Sequence, residues 1–181
     1  MNRLSFVVKQ GEEVPKGDLS MTKTPRAGPV YWMGLAFWLG VCFAAAWVGA
    51  HFSPEEWYEG LMKPALTPPG WIFGPVWTLL YTMMGVAAWL VWQRHGYAAA
   101  SRSLGLFLLQ LGLNALWSYL FFGLKNPGLA FLDIVVLWLA ILATLIAFFR
   151  HYRPAGQLLL PYLLWVSFAV YLNLQFWRLN P

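Results

Sequence analysis

The sequence predicts an all-α integral membrane protein, a bundle of five transmembrane helices. Hydrophobic residues make up 60% of the 181 and charged residues only 10%, whereas soluble domains carry about 25% charge. The apolar residues gather into five runs of about 22 residues, 29–50, 71–93, 103–124, 127–149 and 155–177. At ~1.5 Å per residue each run spans the ~30 Å hydrocarbon core. The runs are continuous, which excludes the ~10-residue alternating strands of a membrane β-barrel. A soluble enzyme, a disordered chain and a disulfide scaffold are excluded as well. The single Cys42 cannot form an internal disulfide.

Taken in order, residues 1–28 are polar, with glycine, proline and mixed charge. They are too hydrophilic for a signal peptide and read as a disordered tail. The membrane domain then runs over 29–181. Span one carries the small-xxx-small pairs Ala36/Gly40 and Ala45/Gly49, which suit close helix approach. The loop 51–70 is long, yet it holds Trp57, Tyr58, Leu61 and four prolines. It reads as an ordered lid, because proline restricts the backbone and stops helix. The remaining connections are short: 94–102, Asn126–Pro127, and 150–154. Short connections make consecutive spans antiparallel neighbours.

Basic residues supply the orientation. Arg3, Lys9, Lys16, Lys23, Arg26, Arg94, Arg102, Arg150 and Arg153 fall on one side; Lys63, Lys125 and Arg178 fall on the other. Nine against three predicts a cytoplasmic N-terminus and an external first loop. The net charge of +5 is dispersed between apolar runs, so it reads as topology, and no nucleic-acid partner is expected.

Motifs of soluble enzymes are absent: no phosphate-binding glycine loop, HExxH, CxxC or GxSxG. His51 lies on one side of the membrane, His95 and His151 on the other, so no multi-histidine metal site is expected. Cys42 in an apolar run reads as helix packing rather than a haem ligand. No catalytic residue, metal or cofactor is expected. Aromatic residues are the strongest signal, at 18% with 12 tryptophans. Trp32, Trp57, Trp71, Trp92 and Trp177 sit near span ends, where an interfacial belt accounts for them better than a binding site does. Trp77, Trp117, Trp138 and Trp165 lie deeper, where an indole N–H needs a partner. Either bundle packing or a flat apolar ligand fits these four. Gln110, Asn114 and Ser118 recur every four residues on one face of span three. They fit interhelical hydrogen bonds of ~0.6 kcal/mol or the polar side of a binding site. Asp133, the one charge within a span, is either a buried interhelical lock or functional.

Three segments resemble the TspO/MBR family, which comprises the tryptophan-rich sensory proteins and the mitochondrial translocator protein. They are WYEGLMKPALTPPGWIFGPVWTLLY (57–81), LGLNALWSYLFFGLKN (111–126) and PYLLWVSFAVYLNLQFWRLN (161–180). With Asp133 the resemblance covers roughly residues 30–180. It implies a five-helix bundle, often a homodimer, that binds porphyrins and other flat hydrophobic molecules beneath the first loop. The lining it implies is Tyr58 and Pro68 from the loop, Trp77 and Tyr81 from span two, Asn114, Trp117 and Ser118 from span three, and Trp165 and Ala169 from span five. Trp38 and Trp138 do not map and read as packing. Leu66 stands where the family usually has tryptophan. Leu174 stands where the mammalian cholesterol motif needs tyrosine, so cholesterol affinity is not carried over.

The expected function is membrane ligand binding for tetrapyrroles, as sensor or transporter. The alternative is an enzyme degrading porphyrin, with Trp77 and Trp165 as redox-active indoles. No nucleophile, base or metal set in the sequence supports that chemistry. A purely structural protein with an incidental pocket is a third reading, and the lipid bilayer is a partner in all three.

Overall fold

The computed structural model describes residues 28–52 and 56–180. The expected tail therefore lies outside the described residues, apart from Gly28. Six α-helices follow in order: α1 Pro29–Ala50, α2 Glu56–Glu59, α3 Gly70–Ser118, α4 Pro127–His151, α5 Arg153–Leu158 and α6 Leu160–Leu179. A π-helical turn, Tyr119–Gly123, closes the end of α3. No strand occurs among the described residues.

The 49 residues of α3 are not one rod. Tyr81 and Asn114 are 33 residues apart and hydrogen-bonded, a separation that a straight helix would stretch to ~50 Å. Met84 and Gln110 also touch, Nε2 to Sδ at 3.8 Å. The chain reverses at Gly96, at φ 68° and ψ 173°, a left-handed conformation that glycine adopts without steric penalty. Residues 70–95 and 97–118 are thus two antiparallel spans, called here the first and second arms, and the bundle has five. The connection expected over 94–102 shrinks to this one-residue reversal. Gln93, Arg94 and Ala98–Ala100 are helix formers, so the helix persists on both sides of the glycine.

Packing follows α1 on α3, α3 on α4 and α4 on α6. Gly34, Trp38 and Cys42 form the buried stripe of α1, four residues apart as one helix face requires. A Cβ on Gly34 would lie 2.2 Å from the Trp92 ring, and one on Gly85 would lie 2.8 Å from Leu39 Cδ2. These glycines, rather than Ala36/Gly40, bring α1 against the first arm; Gly40 has open space around its Cα. The outward residues Trp32, Met33, Phe37 and Trp47 are exposed and face lipid, which solvates them as well as a core would. Gln110, Asn114, Asp133, Thr144 and Asn173 are buried, the placement a bilayer imposes on polar side chains.

At the other turns, Asn126 caps α4, accepting from Leu129 N at 2.9 Å. Span five is split. Pro161, in the first turn of α6, cannot donate the backbone bond that would continue α5.

Candidate functional site

The polar centre of the bundle is Asn114. Its Oδ1 accepts from the Tyr81 hydroxyl, and its Nδ2 donates to Tyr162 Oη at 3.2 Å. One amide thereby ties the first arm and α6 to the second arm. Trp77 lies one turn from Tyr81 and packs on it at 5.5 Å and on Tyr162 at 6.3 Å between centroids. Trp165 lies edge-on to Phe73 at 5.9 Å. The pairs Trp77–Tyr162 and Phe73–Trp165 run in opposite sequence directions, as antiparallel helices require. Large rings therefore line the seam between the first arm and α6.

A second aromatic layer lies toward the loop. Trp117 stacks on Phe121 at 5.2 Å, and its indole N–H donates to Asn173 Oδ1 at 2.8 Å. Asn173 in turn donates to the Pro127 carbonyl at 2.8 Å. Phe121 projects from the π-helical turn, where Leu124 N bonds to Tyr119 O at 2.8 Å; such widened turns are frequent at functional sites. Trp57 and Tyr58 of the loop lie edge-on to Phe121 at 5.9 and 6.4 Å, and Tyr58 also meets Phe122 and Phe176. Lys63 Nζ stands 5.1 Å over the Tyr58 ring. Burial pushes the Tyr58 phenol above its ordinary value, so it remains a neutral donor at physiological pH.

The loop is fastened as well as packed. Asn180 Oδ1 accepts from Met62 N at 2.9 Å, while its Nδ2 donates to Met62 O at 3.1 Å and to Phe176 O at 3.0 Å. Thr67 bonds to the Pro64 carbonyl through both N and Oγ1. Within the expected lid, residues 53–55 lie outside the described residues, and the described part is tied at Met62 to the end of α6.

Of the expected lining, Trp77, Tyr81 and Asn114 come together, and Trp165 lies on the same seam. Tyr58 and Trp117 join through Phe121 in the layer above. Ser118 faces α1, where its Oγ would lie 3.2 Å from a Cβ on Gly49. Ala169 packs against the main core, and Pro68 is half-buried in the loop. Trp138 donates to Ser167 Oγ at 2.8 Å, and Trp38 lies edge-on to Phe107; both sit outside this seam. Asp133 is buried, but its Oδ2 has no hydrogen-bond partner among the described residues, so the expected lock lacks that bond. Tyr162, Phe121, Asn173 and Asn180 were not anticipated. Tyr162 could have been found three residues before Trp165, on the same helix face.

Open grooves occur elsewhere on the surface. One of about 340 Å³ runs between α1 and the second arm, past Val41, Val48 and Leu111. Another of about 430 Å³ runs between α4 and α6, past Val135, Trp138 and Val170. Both have apolar walls facing outward and lack the convergent polar groups of a specific site.

A family model described as TspO/MBR matches residues 37–178. The chain belongs to the TspO/MBR family. It is 44% identical over 154 residues to tryptophan-rich protein TspO of Chlorobaculum tepidum, covering 81% of this chain and 96% of the relative. It is 40% identical over 149 residues to the tryptophan-rich sensory protein of Cereibacter sphaeroides, covering 82% and 92%. It is 41% identical over 138 residues to the human translocator protein, covering 74% and 82%. Membership, together with the apolar helices, makes it an integral multi-pass membrane protein. The TspO/MBR motifs at 57–81, 111–126 and 161–180 supply the loop, the second arm with its π-helical turn, and α6.

Proposed function

We propose that the protein binds a tetrapyrrole, a porphyrin or a similarly flat and largely apolar molecule, along the seam between the first arm and α6, acting as a sensor or transporter. The observation that carries this is the convergence of Trp77, Tyr81, Tyr162 and Asn114 beneath a fastened loop. Stacked aromatic rings suit a flat macrocycle, and the Asn114 amide offers one polar anchor once it exchanges a tyrosine partner. A porphyrin also carries carboxylates. No basic side chain lies on this seam among the described residues, and Lys63 stands at the loop, so the carboxylates remain at the loop side near solvent. The names of two relatives, a tryptophan-rich sensory protein and a translocator protein, agree with sensing or translocation.

The test is a protoporphyrin titration of detergent-solubilised protein, followed by tryptophan quenching under brief excitation, with parallel samples kept in the dark and assayed for porphyrin products. Saturation at a fixed stoichiometry is expected. Unsaturable quenching that scales with detergent would mean partitioning and would sink the reading. Dark conversion of the porphyrin would favour the degrading enzyme instead. We also propose that the loop faces the outside of the membrane and the Gly96 reversal faces the cytoplasm, as the basic residues indicate.

A further inference from the structure

At the end of the bundle remote from the loop, three chain segments meet. The reversal at Gly96 puts Arg94 and His95 at the tip of the α3 hairpin, with Tyr97, Arg102 and Ser103 starting the second arm. Arg150 and His151 end α4, Tyr152 follows, and Arg153 opens α5. Specific contacts join these segments. Arg94 Cζ lies 3.7 Å above the Tyr152 ring. The His95 and His151 rings are 4.7 Å apart, and His95 Nε2 donates to the His151 carbonyl at 3.3 Å. Ser103 Oγ is 3.0 Å from His151 Nε2. All four arginines and His95 are exposed, while His151 and Tyr152 are half-buried.

No carboxylate among the described residues faces this group. Glu56 and Glu59 are in α2, at the other end. Asp133 is 18 residues before His151 on α4, ~27 Å along the helix. Four arginines thus share this end of the bundle, with no carboxylate beside them among the described residues. They flank the ends of the apolar spans, where cationic side chains meet lipid headgroups.

We propose that this end of the bundle binds the phosphate headgroup of an anionic phospholipid, and that the His95–His151 pair makes the affinity rise as pH falls. Guanidinium groups match phosphate oxygens with paired donors. Stacking on Tyr152 occupies one face of Arg94 and leaves its N–H edge for a ligand. A choline or ethanolamine headgroup brings an ammonium that finds no carboxylate here among the described residues, so the site discriminates by net charge.

The pH dependence follows from linkage. Burial and the neighbouring His95 ring hold the His151 imidazole below its ordinary value, so its protonation is unfavourable until an anion compensates the charge. Anion binding therefore takes up protons. By reciprocity, falling pH through the histidine range strengthens anion binding.

The test uses the full-length protein in neutral detergent, with thermal unfolding followed against added dioleoylphosphatidylglycerol or dioleoylphosphatidylcholine. Phosphatidylglycerol is expected to bind about tenfold more tightly than phosphatidylcholine at pH 7.5, and about fivefold more tightly still at pH 5.5. The double variant Arg94→Gln/Arg153→Gln should lose most of the preference, and Arg178→Gln, at the loop end, should keep it. His95→Gln/His151→Gln should keep the preference at pH 7.5 and lose the gain at pH 5.5. Equal binding of the two lipids, or an arginine variant with an unchanged ratio, overturns the site; a pH gain that survives both histidine substitutions overturns the switch. Should the arginine variant not fold, the wild type decides, because 1 M salt should erase a headgroup preference carried by charge, and a preference that persists overturns the proposal. Glycerol 1-phosphate, which has phosphate but no acyl chains, should protect at least about tenfold less; equal protection would mark a soluble-phosphate site and overturn the lipid assignment.

Discussion

At the loop end, Trp57 and Tyr58 lie against Phe121, Trp117 reaches Asn173, and Asn114 is shared by two tyrosines. At the opposite end Arg94 lies on Tyr152, two histidine rings stand 4.7 Å apart, and four arginines are exposed. Both ends are held by contacts between distant segments, but the chemistry divides them. At the loop end Asn114, Asn173 and Asn180 bond to groups of the bundle itself, and large rings line the seam between helices. The reversal end leaves charge open to its surroundings. A bilayer permits both, since buried polar groups must be satisfied internally while interfacial cations meet water and headgroups. A hydrophobic ligand therefore suits the first end and an anionic headgroup the second.

The sharpest way to break this comparison is to ask which end is outside. Glu59→Cys in a Cys42→Ala background should react with an impermeant maleimide in intact cells, whereas Tyr97→Cys in the same background should react only after lysis. The effect is all-or-none. The reversed pattern would exchange the sides assigned to the lid and to the arginines.

Next in size is the loss of the polar hub. Asn114→Ala removes the partners of both Tyr81 and Tyr162 and leaves two buried hydroxyls without those bonds. Each such loss costs about 1–2 kcal/mol in a membrane bundle, so thermal unfolding should register about 2–4 kcal/mol in total. Ser103→Ala, which removes a single bond to half-buried His151, should cost about 1 kcal/mol. Comparable losses would mean that the two ends are not differently built.

Binding comes third. Trp77→Phe and Trp165→Phe each keep an apolar ring, remove an indole N–H and reduce the stacking surface. Each should weaken protoporphyrin binding by about 1–2 kcal/mol. Trp92→Phe, near the Gly96 reversal, should leave it unchanged. If Trp92→Phe costs as much as the other two, quenching reports membrane partitioning rather than the seam.

How much of this was legible in the sequence depends on the range of the interaction. The five spans were legible because lipid imposes a length and a polarity on each of them. Trp77, Asn114 and Trp165 stood out because a polar atom at mid-span depth needs a partner. The reversal at Gly96 was less legible, because Arg94 to Arg102 combines loop-like charge with helix-forming residues. The choice of Gly34 over Ala36/Gly40 as the close contact depends on where Trp92 lies, which no local pattern encodes. Asn180 carried no local signal at all, since its partner is 118 residues away and is a backbone segment.

That residue supplies the smallest and most specific effect. Asn180 holds the loop through two bonds to Met62, at 2.9 and 3.1 Å. Both are solvent-exposed, where a hydrogen bond contributes about 1 kcal/mol at most. Trp57, Tyr58 and their ring contacts remain in Asn180→Ala, so the lid should loosen without leaving. Faster opening raises the rates of entry and escape together. Stopped-flow quenching should therefore show protoporphyrin dissociation about fivefold faster, association faster by a similar factor, and an equilibrium affinity within about twofold of wild type. Asn180→Asp keeps the acceptor for Met62 N–H and loses the donor to Met62 O, so it should fall between the two. Unchanged rates in Asn180→Ala would show that the ligand reaches the seam by another route, sideways from the bilayer between the helices, and that the fastened loop is a structural cap rather than a gate.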